Sequence, residues 1–327
     1  MNDPLVDEDR LRVWLDECGI AVGEPLLVER LVAGRSNAMF AVRRGDRDLV
    51  LRRPAGIAVD RADEGMRREF RILQALDGSD VPHPEAIAIC EDPAVLGCTF
   101  FVMKRVDGIN PMPPLPVAFG SDEARSDVAF AMVDALAAVH AFDWRAGGLS
   151  DLGRPEGFHE RQVDRWTRQL SSYGGRELPG IDSVAEWLSD NRPTSFTPTL
   201  MHGDFHMFNL LIADNPPGLV TAVVDWETAT IGDPLLDLAG FCEIWCPLAT
   251  DGWPSRPELE SRYAETRGVE LPYSLGYYDA LYNFRMAVLL EGIHQRSLRD
   301  PTRPDLVEVG DRALANVSRA LDAVSRS

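Results

Sequence analysis

Eight residues, His202-Gly203-Asp204-Phe205-His206-Met207-Phe208-Asn209, lie between an apolar run ending Leu200-Met201 and a second apolar run, Leu210-Leu211-Ile212. Apolar runs this short read as buried strands, so the eight residues form a tight loop whose polar side chains are held by its flanks. Asp204 and Asn209 are five apart, and Asp225 follows sixteen residues later, at the end of the run Ala222-Val223-Val224. A carboxylate, an amide oxygen and a second carboxylate in this layout suit phosphoryl transfer. The first takes a hydroxyl proton, and the other two hold a metal ion beside ATP.

The balance of 52 acidic against 33 basic residues gives a net charge of −19. Such a surface repels nucleic-acid phosphate and anionic lipid, so neither is an expected partner; it tolerates or attracts a cationic substrate. The start, Met1-Asn2-Asp3-Pro4, has neither the basic region nor the apolar core of a signal peptide. No apolar run approaches the ~18–20 residues that span a bilayer. The five cysteines, Cys18, Cys90, Cys98, Cys242 and Cys246, are odd in number and scattered, and read as buried free thiols of a reducing compartment. A cytoplasmic protein is expected.

Leu11, Trp14, Leu15 and Cys18 recur at helical spacing, and the helix stops near Gly19. Leu26–Val32, Met39–Val42 and Asp48–Leu51 read as strands of a small antiparallel sheet. A helix from about Arg61 carries Met66, Phe70, Leu73 and Leu76 on one face, and Val81-Pro82-His83-Pro84 stops it. Strands are expected at Ala86–Cys90 and Thr99–Val106. Beyond Asp107-Gly108 the texture is helical. Helices are expected around Val128–Val139, Val163–Leu170 and Val184–Leu188, and then, after a strand at Leu219–Val224, near Pro257–Thr266, Tyr273–Arg296 and from Asp305 to the end. The last carries a stripe of Leu306, Val309, Leu314, Val317, Leu321 and Val324. The fold class is α+β: a sheet-containing segment 1–106 and a mainly helical segment 107–327, with a cleft expected where they meet.

Three segments in fixed order, His202-Gly203-Asp204 through Asn209, Asp225-Trp226-Glu227, and Ile231-Gly232-Asp233-Pro234 with Asp237-Leu238, are similar to those of the aminoglycoside phosphotransferase family. The resemblance runs from about Leu31 to about Ala239. It implies a two-lobed protein-kinase-like fold, with 1–106 as the nucleotide-binding lobe and 107–327 as the catalytic and substrate-binding lobe. It implies ATP and Mg2+ as cofactors and a small-molecule hydroxyl as acceptor. Paired arginines at Arg52-Arg53, Gly153-Arg154-Pro155-Glu156-Gly157 and the stretch Gln162 to Trp166 resemble a subgroup of kinase-like domains fused to acyl-CoA dehydrogenases.

By this resemblance Asp204 is the catalytic base, and Asn209 and Asp225 hold the metal ion. Gly34 and Ser36 belong to the loop over the nucleotide, where small residues let backbone N–H groups approach phosphate. Arg52 stands where many kinase-like enzymes have a lysine, with Glu69 as its partner. Met103 and Arg105 lie on the strand and hinge where adenine docks. His202 supports the loop backbone, and Asp233 and Asp237 buttress the region. His206, four residues after His202, lacks the continuous helix that a zinc pair needs, since Gly203 intervenes.

Two further readings stay open. Arg52 in place of lysine admits a nucleotide-binding module without turnover. His202, Asp204 and His206 admit a metal-dependent hydrolase. The acceptor stays open as well, between an aminoglycoside and a hydroxyacyl thioester or other alcohol. Trp166, Trp187, Trp245 and Trp253 read either as plain core or as the lining of an apolar pocket.

Overall fold

The structure, a computed structural model, describes residues 3, 5–31, 37–56, 60–249, 251–299 and 308–327. Gly34 and Ser36 lie outside these residues, as does the expected start of the last helix near Asp305. The chain forms two compact units. The first comprises Met1–Ala135, Trp144–Leu149 and Phe208–Thr228; the second comprises Leu136–Asp143, Ser150–Met207 and Ala229–Ser327.

The first unit is built on a five-stranded antiparallel sheet in the order β1-β2-β3-β5-β4. Its strands are β1 Leu26–Arg30, β2 Asn37–Arg44, β3 Arg47–Pro54, β4 Ala86–Cys90 and β5 Phe100–Lys104. Strand periodicity divides it into two faces. Phe40, Val42, Leu49, Leu51, Phe100 and Val102 point to one face and form a single core with Leu11 and Leu15 of α1 (Glu8–Glu17). The alternate residues Met39, Val50, Arg52 and Met103 line a cavity on the other face. Central strand β3 is thus buried on both sides, and a charged residue, Arg52, occupies a position the pattern reserves for apolar ones. Helix α2, Asp60–Leu76, follows β3 and buries Met66, Phe70, Leu73 and Leu76. A short helix α3, Pro93–Leu96, was not apparent from periodicity and is capped by Asp92. Cys18 lies just past α1 and is exposed, so not every thiol is buried; the five thiols are unpaired.

The boundary expected at Asp107-Gly108 falls inside this unit. Ile109 and Ile212 exchange N–H···O bonds of 2.9 Å, and Thr221 donates its hydroxyl to the Asp107 carbonyl at 3.0 Å. These bonds tie the chain beyond residue 106 to a ribbon of β7 (Leu210–Ile212) and β8 (Val220–Val223). Gly108 is needed there: a Cβ would stand 2.7 Å from the Ile212 carbonyl oxygen and 2.9 Å from Thr221 Oγ1.

The second unit contains α5 (Phe158–Ser172), α6 (Ile181–Asp190), α7 (Leu235–Trp245), α8 (Arg256–Arg267), α9 (Gly276–Ser297) and α10 (Val309–Arg326), with a two-stranded sheet of β6 (Thr199–Met201) and β9 (Thr230–Gly232). Helix α4, Asp122–Ala141, begins in the first unit and ends in the second. The stripe expected on α10 is corrected. The helix buries Val309, Ala313, Val317, Ala320 and Ala323, while Leu321 is exposed. Small residues on that face let α10 approach α9 closely, which outweighs the larger apolar side chains one position round the helix. Among the described residues no helix is long and apolar enough to cross a membrane.

Candidate active site

The cavity of the first unit has a volume of about 420 Å³. Its apolar wall is made by Leu31, Met39, Val50, Leu73, Met103, Val106, Leu211 and Trp226, and its polar end by Asn37, Arg52, Glu69, Asn209, Asp225 and Glu227. Lys104 and Arg105 complete the rim on the β5 side. Arg52, Glu69, Met103, Arg105, Asn209 and Asp225, six positions singled out in the sequence, therefore line one cavity.

The polar end is organised by Arg52, 5% exposed. Its Nε lies 2.8 Å from Glu69 Oε2 and its Nη2 lies 2.5 Å from Asp225 Oδ1, with Glu227 Oε2 at 3.9 Å. One guanidinium thus serves three carboxylates, and the surplus negative charge is relieved most readily at Glu69: burial, with the charges of Asp225 and Glu227 adding, pushes its carboxyl up to about 7 against the opposing pull of Arg52. Arg52 itself stays protonated and is held above its ordinary value by these acids despite its burial. Asn37 Nδ2 donates to Glu227 Oε2 at 3.1 Å, a link that sequence reading missed because nothing local signals it.

Asp225 has φ +69°, in the left-handed region that a non-glycine residue adopts at a cost of about 1–3 kcal/mol. The turn directly after β8 imposes it: Val224 N–H donates to the Asn209 carbonyl at 2.9 Å, and Trp226 Nε1 donates to the Val223 carbonyl at 3.0 Å. The backbone of Asn209 is thereby fixed one residue away from Asp225. Among the described residues no three His, Cys, Asp and Glu side chains gather into a metal cage. The donors at the polar end are hard oxygens, an amide and a carboxylate. They fit Mg2+, which keeps waters and takes substrate phosphates as further ligands.

Asp204 belongs to the second unit, where its loop is pinned from below. Asp237, 4% exposed, accepts N–H bonds from His202 at 2.7 Å and from Gly203 at 3.0 Å. His140 Nε2 lies 3.4 Å from the same carboxylate, and its Nδ1 lies 2.6 Å from the Tyr263 hydroxyl. Burial would raise the Asp237 carboxyl, yet His140, His202 and the Gly203 N–H together hold it below its ordinary value. His202 is fully buried, and its Nδ1 accepts the Asp204 N–H at 3.3 Å, so it supports the loop backbone as the resemblance implies. Gly203 has φ +80°, which breaks any helix between His202 and His206. His206 Nε2 sits 3.3 Å from Asp204 Oδ1. Burial acts to raise Asp204, but the bond to His206 and the charges of His206, His202 and Arg285 outweigh it, and Asp204 is held low and ionised. Asp233 accepts the Leu235 N–H at 3.1 Å at the start of α7 and the Tyr278 hydroxyl at 2.9 Å.

An antiparallel sheet with a buried cation–carboxylate pair behind its cavity, followed by a mainly helical segment carrying a pinned His-Gly-Asp loop, is the kinase-like α+β class of phosphotransferase. A sequence profile of the phosphotransferase enzyme family matches residues 27–272, and the chain belongs to that family. Acyl-CoA dehydrogenase family member 11 of Homo sapiens is 32% identical over 289 residues, covering 84% of this chain but 36% of that protein, so the chain spans about a third of this relative's length. A Ralstonia eutropha protein provisionally designated an aminoglycoside phosphotransferase has a crystal structure similar to this chain at a TM-score of 0.86, with 28% identity and 98% of each chain covered. The complex of APH(2")-IIIa with GDP and kanamycin matches at a TM-score of 0.65 with 17% identity, over 90% of this chain and 93% of that one, which establishes likeness of fold. Both the family and the subgroup fused to acyl-CoA dehydrogenases are those read from the motifs.

Proposed function

We propose that this chain transfers the γ-phosphoryl group of ATP directly to a hydroxyl of a small molecule. Residues 1–106 would serve as the nucleotide-binding lobe and residues 107–327 as the catalytic and substrate-binding lobe. Asp204, held ionised by its neighbours, orients the acceptor hydroxyl and takes its proton as the oxygen bonds to the γ-phosphorus. The bond from that phosphorus to the β–γ bridging oxygen breaks in line, and ADP leaves. Asn209 and Asp225 would hold Mg2+, which would supply charge neutralisation at the phosphates. Arg52, braced by Glu69, directs a fork of N–H groups at the phosphates. Met103 and Arg105 border the apolar wall where the purine rests.

The observation that carries this reading is the gathering of Arg52, Glu69, Asn209 and Asp225 at the polar end of one cavity, in a chain of the phosphotransferase enzyme family. The fold relative complexed with GDP and kanamycin supports a nucleotide and a small acceptor used together. The test is ADP release across aminoglycosides, macrolides, amino sugars, choline-like alcohols and hydroxyacyl thioesters. Turnover with one class, lost at least a hundredfold in Asp204→Asn and Asp225→Asn, is the expected result; Asp204→Ala within a few-fold of wild type would remove Asp204 from the role of base.

A second reading, a nucleotide-binding module without turnover, is favoured by one contact: Arg52 engages Asp225 at 2.5 Å, so the proposed metal ligand already has a cation. Nucleotide binding with no ADP release on any alcohol would select it.

A further inference from the structure

The stretch Gln162 to Trp166, singled out in the sequence, is not among the residues that line the cavity of the first unit. In the second unit it builds a cationic corner beside Asp204. Trp166 is 5% exposed, and its indole N–H donates to Gln162 Oε1 at 3.2 Å, which fixes the ring. The guanidinium carbon of Arg165 lies 5.0 Å from the ring centroid and that of Arg285, from α9, lies 5.4 Å from it. Arg285 Nη2 also reaches the carbonyl of Gly203, the residue before Asp204, at 3.4 Å.

Among the described residues neither arginine forms an ion pair with a carboxylate. A partly buried guanidinium held at the edge of hydrogen-bond distance from one carbonyl is poorly compensated, and a second cation on the same indole repels it. Burial pulls Arg285 below its ordinary value against the charges of Asp237, Tyr282 and Asp204, with Arg165 adding to the fall. In a chain of net charge −19, with acidic side chains in excess, two arginines that form no ion pair and share one indole, one of them reaching the residue before the proposed base, are a local concentration of positive charge. A polycationic acceptor is repelled there. An acceptor with anionic oxygens supplies what the guanidinium forks lack.

We propose that Arg285 and Arg165 form the acceptor subsite, with Trp166 as its platform. The acceptor is then an alcohol that also carries a carboxylate or phosphate group. This rests on Asp204 facing the acceptor hydroxyl.

The experiment has two arms. In the first, ADP release is measured with hydroxycarboxylates of graded chain length, phosphorylated alcohols, neutral diols and aminoglycosides, in wild type, Arg285→Gln, Arg285→Lys and Arg165→Gln. The expected result is turnover with an anionic alcohol of one of the first two kinds, which identifies the anionic group. For that alcohol Arg285→Gln raises KM by about ten- to hundredfold, the span of a lost charge-assisted bond. Arg165→Gln, a surface change, shifts KM in the same direction by less, and Arg285→Lys recovers part of the loss. Turnover confined to neutral or cationic alcohols would overturn the proposal, as would Arg285→Gln slowing neutral and anionic alcohols alike. In the second arm the same hydroxycarboxylates and phosphorylated alcohols are titrated calorimetrically without nucleotide. Binding to wild type that is lost in Arg285→Gln supports the subsite even if no ADP is released, an outcome that counts against the phosphotransfer reading alone. Equal binding, or none, in both proteins overturns the subsite.

Discussion

The Arg52 guanidinium touches Asp225: Nη2 stands 2.5 Å from Oδ1, while the same side chain holds the buried Glu69 through Nε at 2.8 Å. Through different nitrogens one guanidinium on β3 meets two elements far apart in sequence, α2 and the turn after β8. A lysine ammonium is a single point of charge and cannot reproduce both links with the same geometry. Arg52 is therefore a brace of the first unit as well as a candidate phosphate ligand.

That brace predicts a graded response. Arg52→Met leaves Glu69 buried beside two further acids, and removal of one partner of a buried pair costs about 3–5 kcal/mol. Glu69 relieves part of that cost by taking up a proton. A carboxyl whose folded pKa is raised loses stability as pH rises from its unfolded value through the folded one, about 7 in wild type and higher without Arg52. Urea unfolding should show the Arg52→Met variant less destabilised at pH 6 than at pH 8, with Arg52→Lys in between.

Asp237 should be the most sensitive position below the loop. Asp237→Ala frees the N–H groups of His202 and Gly203 and leaves His140 without its carboxylate. Loss of two charge-assisted bonds in the interior costs about 3–5 kcal/mol. Thermal unfolding should show that loss, and ADP release at a temperature where the variant remains folded should fall more than tenfold, because the backbone carrying Asp204 is no longer pinned.

A second shared arginine sets a different pH dependence. Arg256 meets Glu260 and Asp279 at 2.7 Å and Glu243 at 3.2 Å. Burial, with Glu243 and Glu260 adding, pushes Asp279 up to about 6 against the pull of Arg256. The folded state then binds a proton that the unfolded state has released between pH 3.8, its unperturbed value, and about 6, so the contribution of Asp279 to stability falls as pH rises through that window. Asp279→Asn removes this fall. The stability of the variant relative to wild type should rise between pH 4 and about 6 and be flat above it; a difference independent of pH in urea titrations would contradict the shift.

Gly108→Ala tests close approach. A Cβ there would stand 2.7 Å from the Ile212 carbonyl oxygen, which is backbone and cannot rotate away. Overpacking of this kind costs about 1–3 kcal/mol. Denaturant unfolding should show it, and hydrogen exchange should show the Ile109–Ile212 bonds opening more readily.

Most strands of the first unit were legible, because each is a short apolar run bounded by turn residues. Their ends were not: β2 runs Asn37–Arg44 and β3 runs Arg47–Pro54, since pairing with neighbours extends a strand through charged residues. The apolar runs beside the His202–Asn209 loop are strands as read, but they do not pair with each other. β6 pairs with β9, and β7 with β8. Arg285 gave no sequence signal, as a single arginine inside a long helix is ordinary until its neighbours are known.

Sequence alone determined the family, because three short segments around Asp204, Asp225 and Asp233 stand in a fixed order that needs no knowledge of packing. Only tertiary structure decided which charges meet. Arg52 pairs with Glu69 and Asp225, Asp237 with the loop amides, and Arg285 with an indole and the Gly203 carbonyl. The reason is physical: periodicity and turn residues act over a few neighbouring positions. Ion pairs and hydrogen bonds depend on distances that only packing of remote segments creates.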